Sequence, residues 1–150
     1  MPGLAQEVES ALDWLERAWP RRLPGGAIHG DLFADNLFLD DGEVSGVIDF
    51  YFACDDAYAY DLAIMLNAWC FQAGAWRDAL AAALTAGYEI ARPLSEAETA
   101  GLPVLAAGAA MRFLLTRLHD WLRPVPGAVV TPKDPLEQLA CLRLHRSHIT

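Results

Sequence analysis

Hydrophobic positions along the chain follow two periods, and the changes between them mark its organisation. Val8, Leu12, Leu15 and Trp19 recur at helical intervals among Glu9, Asp13, Glu16 and Arg17, which predicts an amphipathic helix over residues 5–19. Pro20 ends it, and Pro24-Gly25-Gly26 breaks the chain again. Leu37-Phe38-Leu39 and the run from Val44 to Phe50 then read as two short strands, joined through Asp40-Asp41-Gly42 as a hairpin. Asp55 and Asp56 are expected to cap a helix that runs through about Phe71. Its Tyr58, Leu62, Ile64, Met65, Leu66 and Trp69 are apolar nearly all round, which places it in the core. A third helix is expected over residues 75–91, ending before Pro93. Ser95 and Glu98 have capping-box spacing and open a longer helix to about Leu122. Pro103 is expected to break or kink that helix unless it falls in a first turn. A proline-rich loop from Arg123 to Pro132 leads to a last helix from about Asp134 to His145. The pattern describes a mainly α chain with one small β-hairpin.

Composition narrows the class. With 150 residues, 54% hydrophobic and 21% charged, the chain has enough apolar material for one well-packed domain and too little charge for a disordered one. Three units are expected within it: a helix and linker at 1–26, a loop and hairpin at 27–50, and a helical subdomain at 51–150. The formal charge of -9 is repelled by nucleic acid and by anionic membrane surfaces, so neither is expected as a partner. Charges such as Asp61 and Arg112 interrupt the most apolar stretches, so no membrane span is expected. The opening residues show no basic start and no apolar signal core. Cys54, Cys70 and Cys141 are odd in number and widely spaced, which points to reduced thiols in the core, a cytoplasmic setting and no zinc site.

The chemistry concentrates in Ala27-Ile28-His29-Gly30-Asp31-Leu32-Phe33-Ala34-Asp35-Asn36-Leu37-Phe38 and the later Gly46-Val47-Ile48-Asp49-Phe50. A hairpin returns the chain to its start, so Asp49 can face Asn36, and Asp31 stands five residues before Asn36. Hard oxygen ligands brought together in this way suit Mg²⁺ shared with phosphates. The spacing from Asp31 to Asn36 matches the protein-kinase pattern H-R-D-x-x-x-x-N. There the Asp accepts the proton of the attacking hydroxyl, the Asn binds metal, and a later Asp also binds metal. Asp31 is therefore the candidate base, with Asn36 and Asp49 the candidate Mg²⁺ ligands. His29 is read as packing and bonding the loop, and Asp61 as holding it from an otherwise apolar helix, where an unpaired carboxylate is costly. Asp35 either lines the site or is an exposed loop acid. Arg112, flanked by apolar residues, wants an anion: either a substrate carboxylate, matching its planar fork, or an acid such as Asp61. Arg117 is expected to pair with Asp120 at the surface. Trp69, Tyr51 and Tyr58 are read as core residues.

Gly30 stands where a protein kinase has Arg, and Ile48-Asp49-Phe50 where it has Asp-Phe-Gly. With these departures the chain resembles the aminoglycoside phosphotransferase-like family, which carries H-G-D-x-x-x-x-N followed by I-D-F/W. Within that group, His29 to Asn36, Val47 to Cys54, Tyr60 to Ala63 and Leu66 to Phe71 resemble homoserine kinases of the kinase-like type. Met111-Arg112-Phe113 and Lys133-Asp134-Pro135-Leu136-Glu137 extend the likeness. The resemblance implies the large, C-terminal lobe of a protein-kinase-like fold. It also implies transfer of the γ-phosphoryl group of ATP, with Mg²⁺, to the side-chain hydroxyl of homoserine in threonine biosynthesis, with Asp31 and Arg112 meeting the substrate. Relatives acting on aminoglycosides, choline or sugars share the loop, so another small hydroxyl substrate stays open.

The kinase template also uses a glycine-rich loop over the phosphates and a strand lysine. Residues 1–28 contain neither, and the sole lysine is Lys133. The nucleotide-clamping lobe is therefore expected to be absent from this chain, and the chain alone to be inactive. The surface that such a lobe covers is expected to be apolar and open to self-association or to a partner supplying the lobe. A non-catalytic binding module, and metal-assisted hydrolysis by the same acids, are the competing readings.

Overall fold

The computed structural model describes residues 3–123 and 133–149. The expected proline-rich loop therefore lies, beyond Arg123, outside the described residues. Helix α1 (Leu4–Ala18) lays Ala11 and Leu15 into the interior. Strand β1 (Gly25–Ile28) follows, then a 3-10 turn at Ala34–Asn36, strands β2 (Leu37–Asp40) and β3 (Glu43–Val47), a second 3-10 turn at Phe50–Phe52, and β4 (Cys54–Ala57). Helix α2 (Tyr58–Cys70) precedes the short strands β5 (Phe71–Gln72) and β6 (Ala75–Trp76). Helices α3 (Asp78–Ala91), α4 (Glu96–Leu122) and α5 (Pro135–Ile149) complete the described chain.

Helix α4 is the axis of the fold, packed along α5 and α2 and crossed by α1. Its alanines make this possible. Ala106, Ala107, Ala109 and Ala110 are fully or almost fully buried, and side chains this short let neighbouring helices approach closely. Gly108 carries the same logic further, because a Cβ there would lie 2.3 Å from the Trp19 ring. On one side Met111 and Leu114 meet Leu15, Leu139 and Leu142. On the other, Leu105 and Ala109 meet Ile28, Ala63 and Ile64. The expected capping box is present: Ser95 Oγ accepts from the Glu98 amide at 3.3 Å, and Glu98 Oε2 accepts from the Ser95 amide at 2.9 Å. Burial alone would raise the Glu98 carboxyl, but bonds from Ser95 and Arg92 outweigh it and hold the carboxyl below its ordinary range.

The main helices and the hairpin stand where the hydrophobic pattern put them. The β2–β3 turn is a two-residue loop, Asp41-Gly42, with both residues at positive φ (48° and 85°), the geometry that matches strand twist. Several expectations need correction. Gly25 and Gly26 are not linker but strand, paired antiparallel with β4. Asp55 and Asp56 lie in β4 and cap nothing; α2 begins three to two residues later, at Tyr58. Strand β3 stops at Val47, short of Phe50. Residues 71–76 form a hairpin around Ala73-Gly74, both at positive φ, so the next helix starts at Asp78. Pro103 lies inside α4, well past its first turn, yet the helix runs through it. Contacts on both sides, including Gly101 against Pro20, hold its course. By length and composition α4 is apolar enough to cross a membrane, despite Arg112; half of its most apolar window is buried inside the fold.

Candidate active site

Strand β1 runs straight into His29-Gly30-Asp31, and its partner β4 runs straight into α2, which carries Asp61. This pairing brings Asp61 beneath the loop. Its Oδ2 accepts from the His29 amide and its Oδ1 from the Gly30 amide, both at 2.8 Å. Two backbone donors thereby satisfy one carboxylate on an apolar helix. Gly30 is required by its φ of +76° and by space, since a Cβ there would lie 2.7 Å from the Phe52 carbonyl oxygen.

His29 is buried and uses both ring nitrogens. Nδ1 accepts from the Asp31 amide at 3.2 Å, which leaves Nε2 to carry the proton donated to the Ile48 carbonyl at 2.8 Å. The ring thus ties the segment bearing Asp31 to the strand end before Asp49, and neither nitrogen faces a substrate. Trp69, read from sequence only as core, also holds the loop: its indole donates to the Leu32 carbonyl at 3.1 Å.

Asp31, Asn36 and Asp49 line one cleft of about 530 Å³, together with Arg112. Asn36 sits in the first 3-10 turn, and its Nδ2 donates to both the backbone oxygen (2.8 Å) and the carboxylate (3.2 Å) of Asp31. That leaves the Asn36 side-chain oxygen as an acceptor. The Ile48 amide donates to the Asn36 carbonyl at 3.1 Å, closing the hairpin beside it. Asp49 follows in the left-handed region (φ 65°, ψ 59°), a conformation that Asp tolerates better than most residues and that recurs at functional sites. Burial pushes the Asp31 carboxyl above its ordinary value, and Asp49 adds to this. Arg112, the Asn36 hydrogen bond and His29 act in the opposite sense.

Arg112 does not pair with Asp61, whose oxygens are occupied by the loop amides. It donates instead to the Gly30 carbonyl and lies 4.2 Å from the centroid of the Phe113 ring. It makes no ion pair with a carboxylate among the described residues. Arg117 does not pair with Asp120: it is buried and reaches Glu137 at 2.9 Å and the Asp134 carbonyl at 3.0 Å. Asp35 is exposed at the cleft edge and held by Lys133 at 2.6 Å, which keeps its carboxyl below the usual range. Cys70 and Cys141 are buried, with burial pushing the Cys141 thiol up to about 12, but Cys54 is exposed on β4. Tyr51 is not core either, being 94% exposed, and Tyr58 packs under Arg92. Phe38, Leu39, Val44, Phe50 and Phe52 are exposed on the hairpin and the turn after it. Among the described residues no cluster of three or more His, Cys, Asp or Glu side chains is arranged to hold a metal. The oxygen donors lining the cleft instead include the Asn36 amide and the carboxylates of Asp31 and Asp49, with Asp35 and Asp120 also on its wall.

The profile of the phosphotransferase enzyme family matches residues 2–94. A homoserine kinase of Methylorubrum populi is 60% identical over 147 residues, which are 97% of this chain and 46% of that protein. Homoserine kinases of Gluconacetobacter diazotrophicus and Rhodospirillum rubrum are 60% and 58% identical, with the same coverage. The chain spans about half the length of the curated relatives it matches.

Proposed function

The chain belongs to the phosphotransferase enzyme family, and on that premise we propose that it carries the acceptor-side half of an ATP- and Mg²⁺-dependent kinase for the side-chain hydroxyl of L-homoserine. The observation that carries this reading is the convergence of Asp31, Asn36 and Asp49 on one cleft. In this reading the hydroxyl oxygen of the substrate attacks the γ-phosphorus of ATP, Asp31 accepts the hydroxyl proton, and ADP departs. A carboxylate raised by burial is better matched to taking up a proton near neutral pH than an ordinary one. Asn36 and Asp49 fit Mg²⁺, which when bound neutralises charge on the phosphate oxygens. Arg112, fixed on the Gly30 carbonyl and flanked by aromatic rings, keeps further donors for an anionic group of the substrate. His29 and Asp61 position Asp31 without touching substrate. The free thiols fit a reducing, cytoplasmic setting. The substrate is taken from the relatives described above, which are homoserine kinases.

Residues 1–28 hold no lysine, and Lys133 is engaged by Asp35, so the chain alone is expected to lack a grip on the nucleotide phosphates and to be inactive. The exposed hairpin face is assigned to contact with a phosphate-gripping lobe, and to self-association when the chain is alone. The test joins this chain in frame to the upstream half of the Methylorubrum populi protein and follows transfer from ATP to L-homoserine. The fused protein should be active and monomeric, Asp31→Asn should abolish transfer, and the unfused chain should be inactive and associate at high concentration. Transfer to another small alcohol but not to homoserine would refute the substrate, and undiminished transfer by Asp31→Asn would refute the base.

A further inference from the structure

Four carboxylates line the catalytic cleft: Asp31, Asp35, Asp49 and Asp120. The kinase reading uses Asp31 and Asp49, and Lys133 holds Asp35 at 2.6 Å. Asp120 is left over. Among the described residues its carboxylate meets only the imidazole of its neighbour His119, at 3.4 Å, beyond the usual range of a nitrogen–oxygen hydrogen bond. Its side chain is 67% exposed, so a ligand in the cleft can reach it. The fold fixes its place. Arg112, Thr116 and Asp120 follow one another at four-residue intervals and all border the cleft, so one face of α4 lies along it. Asp120 stands about 12 Å farther along the helix axis than Arg112, a span that two side chains and one amino-acid ligand can bridge. On either side of it, Arg117 donates to the Asp134 carbonyl at 3.0 Å and the Trp121 indole to the Lys133 carbonyl at 3.1 Å, which anchors this end of the helix.

Electrostatics say what belongs there. Helix α4 ends at Leu122, and the last carbonyls of a helix carry negative partial charge, so a carboxylate in the last turn opposes the macrodipole. Such an acid costs helix stability unless a cation offsets it. Two turns earlier, Arg112 presents the opposite sign and has no carboxylate partner among the described residues. Arg117 and Lys133, the other cations of the cleft, are already paired with Glu137 and Asp35. Once Asp31 and Asp49 have their roles, the cleft therefore keeps one unmatched charge of each sign. That pattern complements a zwitterion, and it disfavours a neutral sugar or a plain carboxylic acid.

We propose that Asp120 is a specificity-determining residue: its carboxylate receives the α-ammonium of a hydroxy amino acid whose carboxylate meets Arg112 and whose hydroxyl meets Asp31. The inference rests on the kinase reading above and deepens it, because it names the residue that separates an amino acid from the corresponding hydroxy acid.

Calorimetric titration of the whole chain with L-homoserine and with 4-hydroxybutanoate, which lacks only the ammonium, tests this. The wild-type chain should bind homoserine more tightly. Asp120→Asn should weaken homoserine binding about fivefold and should not weaken 4-hydroxybutanoate. Its melting temperature should equal or exceed that of wild type, because the substitution relieves the helix end. Asp120→Glu, which keeps the charge, should retain the preference for homoserine. Equal homoserine affinity in wild type and Asp120→Asn overturns the inference and leaves the kinase reading intact. Equal weakening of both ligands by Asp120→Asn also overturns it. So does loss of the preference in Asp35→Asn but not in Asp120→Asn, which would move the ammonium to Asp35. If wild type binds 4-hydroxybutanoate as tightly as homoserine, the ammonium seat is refuted. If it binds neither, the inference fails, and transfer by the fused protein decides the kinase reading separately.

Discussion

The Asn36 side chain spans Asp31, donating through one nitrogen to its backbone oxygen and to its carboxylate. The candidate base is thus oriented by the same residue whose remaining oxygen is the candidate metal ligand. Asn36→Asp removes both donated bonds and sets a second carboxylate beside the first. The variant should lose about 1–3 kcal/mol at pH 7, with much of the loss recovered at pH 4 as the carboxyls protonate. Urea denaturation at the two pH values measures this.

Asp31 is expected to lower the stability of the fold at neutral pH. Its folded pKa is raised from 3.8, chiefly by burial, so the folded state holds the proton more tightly than the unfolded chain. The associated stability is fully present below pH 3.8 and lost as pH rises through the higher folded value. Asp31→Asn should therefore melt higher than wild type at pH 7, by roughly a few degrees, and the gap should close toward pH 3. A gap that stays constant with pH would assign the effect to something other than titration.

Asp61 is expected to act on the site only through the loop backbone. Asp61→Ala leaves the His29 and Gly30 amides without their carboxylate and should cost about 2–4 kcal/mol. Amide hydrogen exchange should accelerate at His29 and Gly30 before it does in α4. Uniform acceleration along the chain would show global loss of structure instead.

Gly30→Ala tests why this loop carries glycine where protein kinases carry arginine. The substitution demands positive φ of a residue with a Cβ and drives that Cβ against the Phe52 carbonyl. A loss of about 1–3 kcal/mol or more is expected by chemical denaturation, and a stability equal to wild type would show that the loop has room to move.

Much of this was legible along the chain because it depends on neighbours in sequence. The helical period of α1 and α4, the capping box at Ser95 and the two-residue hairpin turn are all local. The Asp31, Asn36 and Asp49 set was legible for the same reason: a 3-10 turn and one hairpin are enough to bring them to one cleft. The β1–β4 pairing was not, because four short residues rich in glycine on one side and acids on the other carry no strand pattern of their own. Their pairing is anchored by distant residues: Ile28 packs against Ala63 and Ile64 of α2, and the Tyr58 amide donates to the Pro24 carbonyl. The exposure of Cys54 and Tyr51 followed from the same strand and the turn before it, which hold them outside the helical core.

By itself, then, the sequence determined the helices, the hairpin and the ordered acids and amide of the site, since periodicity, caps and turn residues act over a few positions. Tertiary structure alone decided what each charged side chain faces. It gave Asp61 to two backbone amides and Arg112 to the Gly30 carbonyl. It took Arg117 from Asp120 and gave it to Glu137, and it left Asp120 accessible on the cleft wall. Those assignments depend on which distant segments α4 and α5 bring within about 3 Å, a distance no spacing along the chain encodes.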